Sequence, residues 1–288
     1  MHIGSLIEKH TAPFVSLEFF PPSDEATLPA FYDVVEKLKA INPLFVSVTY
    51  GAGGKKQDRT LDVTKKLVEM HLPTMAHLTC VGASHERIER FLGSLESIGV
   101  HTVLALRGDA PTTDWVPENS SFQHANDLVR FIKTRKPDMG VGVACYPTPH
   151  PESPSYAFDR AHTAEKLVEA DFGITQLFFD VREYVALVEA LRALNITKPI
   201  IPGILPVQSF ASLRRILSLS GAAISGKLYL QLEEADAKGG ADYVRAAGLT
   251  FAESMVRRLL DAGAPGVHLY TLNKADMCLA LIDRLSLH

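Results

Sequence analysis

Phe14-Val15-Ser16-Leu17-Glu18-Phe19-Phe20-Pro21-Pro22 is an apolar, strand-like run that ends in two phenylalanines and two prolines. In a doubly wound open sheet the first strand normally enters a glycine-rich turn that wraps a phosphate, and this turn contains no glycine. The next candidate turn, Gly51-Ala52-Gly53-Gly54-Lys55-Lys56, fits neither G-x-G-x-x-G nor the Walker pattern. Runs rich in Val, Ile, Leu and Phe recur at about 13–19, 44–49, 74–79, 101–106, 140–145, 174–179, 199–204 and 266–270, eight in all. Between them the apolar residues take helical spacing. Ile88, Phe91, Leu92, Leu95 and Ile98 follow a candidate N-cap at Ser84, and Val181, Tyr184, Val188, Leu191 and Leu194 form a second series. Phe210, Leu213, Ile216 and Leu217 form a third, which stops near Gly221. Strand and helix thus alternate every 25 to 40 residues or so, with one longer stretch before the last run. The pattern predicts an α/β fold, a (β/α)8 TIM barrel with extra helices between strands 7 and 8, over a single domain of residues 1–288. The Pro-rich stretch Tyr146 to Tyr156 is short enough to be one loop of that barrel.

Glu18 is the anomaly in the opening run. Burying an unpaired carboxylate costs several kcal/mol, so the group is paired, kept protonated, or set at the mouth of a site. An ion pair with an Arg or Lys elsewhere is the competing explanation. In a barrel, ligand chemistry sits at the carboxyl ends of the strands. Reading each run to its end gives Glu18, Thr49-Tyr50, His77 and Thr79, Arg107-Gly108-Asp109, Tyr146 and His150, Gln176 and Asp180, and Tyr270-Thr271-Leu272-Asn273. The residues entering the strands are bland by comparison, as in Thr11-Ala12-Pro13 and Asn42-Pro43. In Arg107-Gly108-Asp109 the glycine lets backbone approach a flat ligand while Arg107 offers donors to an anion and Asp109 accepts; the two charges could also pair with each other. Asp159, His162, Glu165 and Lys166 share a helical face that either points into a site or is solvated surface.

Composition narrows the function classes. A net charge of -4, with no Lys/Arg block, gives a nucleic-acid surface little support. The N-terminus lacks a basic segment followed by an apolar one, and no run of about 18 apolar residues occurs, so a soluble, cytoplasmic protein is expected. Cys80, Cys145 and Cys278 are widely separated among apolar neighbours, as buried reduced thiols would be. The eleven histidines include no His-Glu-x-x-His, and no metal site is expected.

With these motifs in hand, the chain resembles the methylenetetrahydrofolate reductase family from about Val15 to Leu285. The likeness runs through Ser16 to Pro22, Val46 to Ala52, His77-Leu78-Thr79-Cys80, Ala105 to Asp109, Ile174 to Asp180, Ile201 to Pro206 and His268 to Asn273, in the family's order. The short bacterial form, a catalytic barrel alone, is the nearest pattern. The resemblance implies FAD across the carboxyl ends of the strands. FAD would pass electrons in alternating half reactions between NADH or NADPH and 5,10-methylenetetrahydrofolate, which becomes 5-methyltetrahydrofolate. Glu18 would be the general acid that protonates N10 of the folate, its carboxyl kept protonated by an apolar flank. Asp109 would orient the folate and tune the flavin. Thr49, Tyr50, Ala52, His77, Arg107, Gly108, Asp109, Ala125, Tyr146, His150, Asp159, His162 and Lys166 fall where the family holds FAD. Glu18, Asp109, Gln176, Tyr270, Leu272 and Lys274 fall where it holds folate. Relatives form homo-oligomers. The chain carries His162 and Glu165 where relatives commonly have Asn and Arg, which predicts weaker holding of the FAD pyrophosphate by like-charge repulsion. It also carries Ile216, Ser212 and Lys274 in place of a Phe, a Gln and an Arg. Two other readings follow from the same residues: the chemistry run toward methylenetetrahydrofolate with a non-nicotinamide acceptor, and a non-redox folate-binding partner subunit.

Overall fold

The computed structural model describes residues 2–50, 57–109 and 121–287. The strands are β1 (Phe14–Phe19), β2 (Phe45–Val48), β3 (Thr74–Thr79), β4 (Thr102–Leu106), β5 (Gly140–Cys145), β6 (Phe172–Thr175), β7 (Ile200–Ile201), β8 (Gly203–Ile204) and β9 (Gly266–Tyr270). They pair in parallel in the order β7-β6-β5-β4-β3-β2-β1-β9-β8. β7 and β8 are halves of one strand divided at Pro202, which has no N–H to continue a ladder. The first half pairs with β6 and the second with β9, while the Pro202 carbonyl accepts the His268 amide at 2.9 Å. The ring of pairings therefore closes through this strand around eight positions, giving the (β/α)8 barrel that the alternating runs predict.

Strand alternation sorts the side chains. Val15, Leu17, Phe19, Val46, Val48, Ala76, Leu78, Val103, Ala105, Val141 and Val143 face outward into the main core. Against them pack α2 (Leu28–Lys39), α3 (Gln57–Glu69), α4 (His85–Ser97), α5 (Ala125–Arg135) and α7 (Val181–Ala193) through residues such as Phe31, Val63, Ile88, Leu92, Leu128 and Leu187. Ser84 caps α4 as its sequence predicts, its side chain accepting the Arg87 amide. On the inner face Phe14, Phe45, Met75, Leu104, Phe172, Ile174 and Ile201 fill the amino end of the barrel. Ile3 and Ile7 of α1 (Ile3–Lys9) plug it from below. With that end sealed by apolar packing, polar inward residues gather toward the carboxyl end.

The extra helices stand between β8 and β9. They are α8 (Phe210–Ser220), closed by Gly221 at φ 65°, and α9 (Gly226–Asp261), which bends at Gly239 and Gly240. α6 (Tyr156–Glu169) follows the Pro-rich loop, and α10 (Asp276–Leu285) closes the order. The sixth strand departs from expectation: it is Phe172–Thr175 rather than 174–179. Leu177, Phe178 and Phe179 are buried without being in the ladder; Leu177 and Phe179 pack on Leu205, Val207, Phe210 and Leu213. Their apolarity reports that packing, not strand pairing. Asp180, read as a strand-end group, instead caps α7 by accepting the Arg182 amide and pairs with the Arg182 guanidinium. Cys80, Cys145 and Cys278 are buried and unpaired. Among the described residues no helix is long and apolar enough to cross a membrane.

Candidate functional site

β1 to β6 and β9 open at their carboxyl ends into a cavity of about 720 Å³. Its floor is a buried polar cluster built by strand register. Glu18 on β1 lies level with Ser47 on β2 and Tyr270 on β9. Glu18 Oε2 is 3.4 Å from His77 Nε2 and 3.6 Å from His268 Nε2. His268 Nδ1 meets Ser16 Oγ at 2.8 Å, its Nε2 is 3.4 Å from Ser47 Oγ, and His77 Nε2 is 3.3 Å from the same hydroxyl. Phe45 stacks beneath the His268 ring at 5.9 Å. Ser16, Ser47 and His268 are fully buried, while the Glu18 side chain is 19% exposed, toward the cavity.

This surrounding corrects the expectation that apolar neighbours hold the Glu18 carboxyl protonated. Burial does push its pKa up, but the nearby imidazoles of His268 and His77 outweigh burial, and the net shift is downward. Among the described residues no Arg or Lys pairs with it, and its partners there are imidazoles. His77 is shifted down because burial disfavours its cationic form more than Glu18 favours it. The consequence for stability has a definite sign. A histidine whose folded pKa lies below its ordinary 6.5 binds its proton better in the unfolded chain, so stability is full above pH 6.5 and is lost as pH falls through that value toward the folded pKa. Chemical denaturation of the wild type at pH 7.5, 6.5 and 5.5 should show that loss, and His77→Asn should flatten it. An unchanged slope in the variant would remove His77 as its source.

The wall above the floor is Arg107-Gly108-Asp109 at the end of β4. Gly108 has φ +84°, and a Cβ there would lie 2.9 Å from the Thr79 Cβ, so both conformation and space demand glycine. Arg107 does not pair with Asp109. Its Nη1 and Nη2 reach the two carboxylate oxygens of Glu152, in the loop before α6, at 2.6 and 2.8 Å. Tyr146 lies beside them, its phenol pushed up to about 12 by burial.

The helical face of α6 divides. Asp159 is buried and accepts the His150 amide at 3.0 Å; beside it the buried Arg160 donates to the Tyr146 and Pro147 carbonyls and fixes the start of the loop. Lys166 Nζ donates to the Ala144 carbonyl at 2.7 Å, and burial pulls its pKa down. Among the described residues no carboxylate lies within ion-pair distance of it. His162 and Glu165 sit exposed at the rim, where Glu165 Oε2 is 3.1 Å from His162 Nδ1 and accepts from Asn126 Nδ2 at 3.0 Å.

Thr49, Tyr50, His77, Arg107, Gly108, Asp109, Ala125, Tyr146, His150, Asp159, His162, Lys166, Gln176 and Tyr270 line this one cavity with Glu18. Ala52 lies outside the described residues. Leu272 and Lys274 follow β9 in a turn and are not among the lining residues. That turn ties β9 to β1: Thr271 Oγ1 donates to the Glu18 carbonyl and Asn273 exchanges two hydrogen bonds with the Phe20 backbone. Sequence reasoning gave no role to Ser16, Ser47 or His268, although each stands two residues from an inward-facing polar or aromatic group, the signature of one strand face. It missed Glu152 as the partner of Arg107.

The family model described as methylenetetrahydrofolate reductase matches residues 3–286. The 5,10-methylenetetrahydrofolate reductase of Salmonella typhimurium is 34% identical, with 98% of this chain and 93% of that protein covered. The Escherichia coli enzyme of the same name is 32% identical over the same shares. Methylenetetrahydrofolate reductase (NADH) 1 of Arabidopsis thaliana is 33% identical over 99% of this chain and 50% of its own length. The chain thus spans about half the length of the plant and yeast relatives it matches. A solved structure from Clostridium thermocellum, described as binding two copies of 5-methyl-5,6,7,8-tetrahydrofolic acid, superposes with a TM-score of 0.70 at 14% identity, with 98% of this chain and 99% of that chain covered, a likeness of fold.

Proposed function

Because the chain belongs to the methylenetetrahydrofolate reductase family, we propose that its barrel mouth interconverts 5,10-methylenetetrahydrofolate and 5-methyltetrahydrofolate, with FAD as cofactor and NADH or NADPH as the partner of the other half reaction. The observation that carries this reading is Glu18, a single carboxylate at the cavity floor held between two buried imidazoles. The residues present also suit an anionic, aromatic cofactor. Lys166 is a part-buried ammonium with no carboxylate against it among the described residues, a cation that a phosphate would complete. Thr49, Tyr50, His77, Gly108, Ala125 and Tyr146 add hydroxyls, an imidazole, bare backbone and ring faces around it. When bound, FAD supplies reversible two-electron hydride chemistry that no side chain offers.

The chain's own part is proton handling and orientation. Glu18 delivers a proton to the folate N10 in the reductive direction and takes it back in the oxidative one. The carboxyl moves that proton beside two imidazoles, His77 and His268, whose Nε2 atoms lie 3.4 and 3.6 Å from its Oε2. Asp109 and Gln176, which both line the cavity, would accept from and donate to the pterin ring. Tyr270 holds its ring over Gly203, where a Cβ would come within 2.6 Å of it, and donates to the Thr175 carbonyl at 2.6 Å; it acts as a fixed wall.

An anaerobic visible spectrum of the purified protein tests the reading. A flavin band is expected, and it should bleach on addition of 5-methyltetrahydrofolate. No band even after added FAD would refute the cofactor assignment, and a band that folate leaves unchanged would refute the substrate.

A further inference from the structure

We propose that Glu152 is a built-in counter-anion that competes with a phosphate-bearing ligand for Arg107, and so sets how tightly the cavity holds that ligand. The inference rests on the flavin reading above. Arg107 and Lys166, two of the cations that line the cavity among the described residues, stand in different states. Lys166 has no carboxylate within ion-pair distance among the described residues, whereas both terminal nitrogens of Arg107 are engaged by one Glu152 carboxylate, and its Nε is turned to the Gly108 carbonyl at 3.4 Å. A bidentate fork is the geometry a guanidinium also offers to phosphate, so carboxylate and phosphate seek the same two donors. An incoming anion at Arg107 must therefore exchange with Glu152 rather than add to an open site.

The local build lets that exchange happen without refolding. The Glu152 side chain is 63% exposed and that of Arg107 33%, so the pair is screened by water and weak enough to open. The backbone carrying Glu152 is anchored separately: its amide donates to His150 Nδ1, the Ser153 amide donates to the His150 carbonyl, and the His150 amide is held by Asp159. The carboxylate can swing away while the loop stays in place. An alternative role, in which Glu152 presets Arg107 for the ligand, predicts the opposite sign on removal.

Equilibrium binding of riboflavin and of FAD, read by quenching of flavin fluorescence, separates these. In Glu152→Gln and Glu152→Ala, FAD is expected to bind about two- to fivefold more tightly than in wild type, the size of a screened ion pair. Riboflavin, which has no phosphate, is expected to bind equally to all three proteins. FAD binding that is unchanged or weaker in both variants would overturn the competition while leaving the flavin reading intact. A wild type and variants that bind neither flavin would overturn both.

Discussion

Glu18→Gln is expected to lower folate turnover by about two to four orders of magnitude, the usual contribution of a positioned general acid or base, while leaving FAD bound and reducible by a nicotinamide. The substitution keeps the shape of the side chain and its capacity to meet His77 and His268, but an amide cannot carry a titrating proton. Backbone contacts at this position are independent of the side chain: the Glu18 carbonyl accepts from Thr271 Oγ1, and β1 is held by ladders on both sides. The loss should therefore fall on chemistry rather than on folding. Stopped-flow measurement of each half reaction under anaerobic conditions distinguishes the two. Flavin reduction by the nicotinamide should proceed at close to the wild-type rate, and bleaching by 5-methyltetrahydrofolate should slow by the full factor. Full folate turnover in the variant would remove Glu18 from the mechanism, and loss of both half reactions would mean that the carboxylate supports the cavity rather than the proton transfer.

The outward faces of the strands were legible because burial against helices demands apolar side chains at every second position, and Val15, Leu17, Val46, Val48, Val141 and Val143 supply them. The carboxyl-end mouth was legible as well, since Glu18, Arg107 and Tyr146 each break an apolar run where a loop begins. Contacts set by closure of the ring were not. Ser16 and His268 are 252 positions apart, and only the parallel register of β1 with β9 sets them opposite one another. Each read alone is an unremarkable polar residue in a strand. Glu152 lies in a loop with no periodicity, so nothing local tells that its carboxylate reaches 45 residues back to Arg107. The sixth strand was misplaced for a related reason: Leu177-Phe178-Phe179 has strand composition, yet its side chains are buried by packing that the chain completes only later, much of it against Leu205 to Leu213. Composition reports burial, and tertiary context decides which element performs it.

His268→Gln is expected to slow folate turnover by about one to two orders of magnitude through misplacement of the reacting carboxyl, and to move the acid limb of 5-methyltetrahydrofolate oxidation to higher pH. Burial alone would raise the Glu18 pKa, and the first influence opposing it comes from the His268 imidazole. With Ser16 on Nδ1 and Phe45 against the ring, it is Nε2 that faces Glu18, so the imidazole is oriented from two sides before any ligand enters. A glutamine can fill part of the space but cannot share a proton with the carboxylate. Without that partner the burial effect is less opposed, the carboxylate takes up its proton at a higher pH, and oxidation, which needs the ionised form as base, fails earlier as the solution is acidified. The double variant Glu18→Gln/His268→Gln supplies the control. If His268 acts through Glu18, the double substitution is no slower than Glu18→Gln alone, and its pH profile loses the limb. Multiplicative losses, or an acid limb that stays in place in His268→Gln, would show that the imidazole shapes the barrel floor without governing the proton on Glu18.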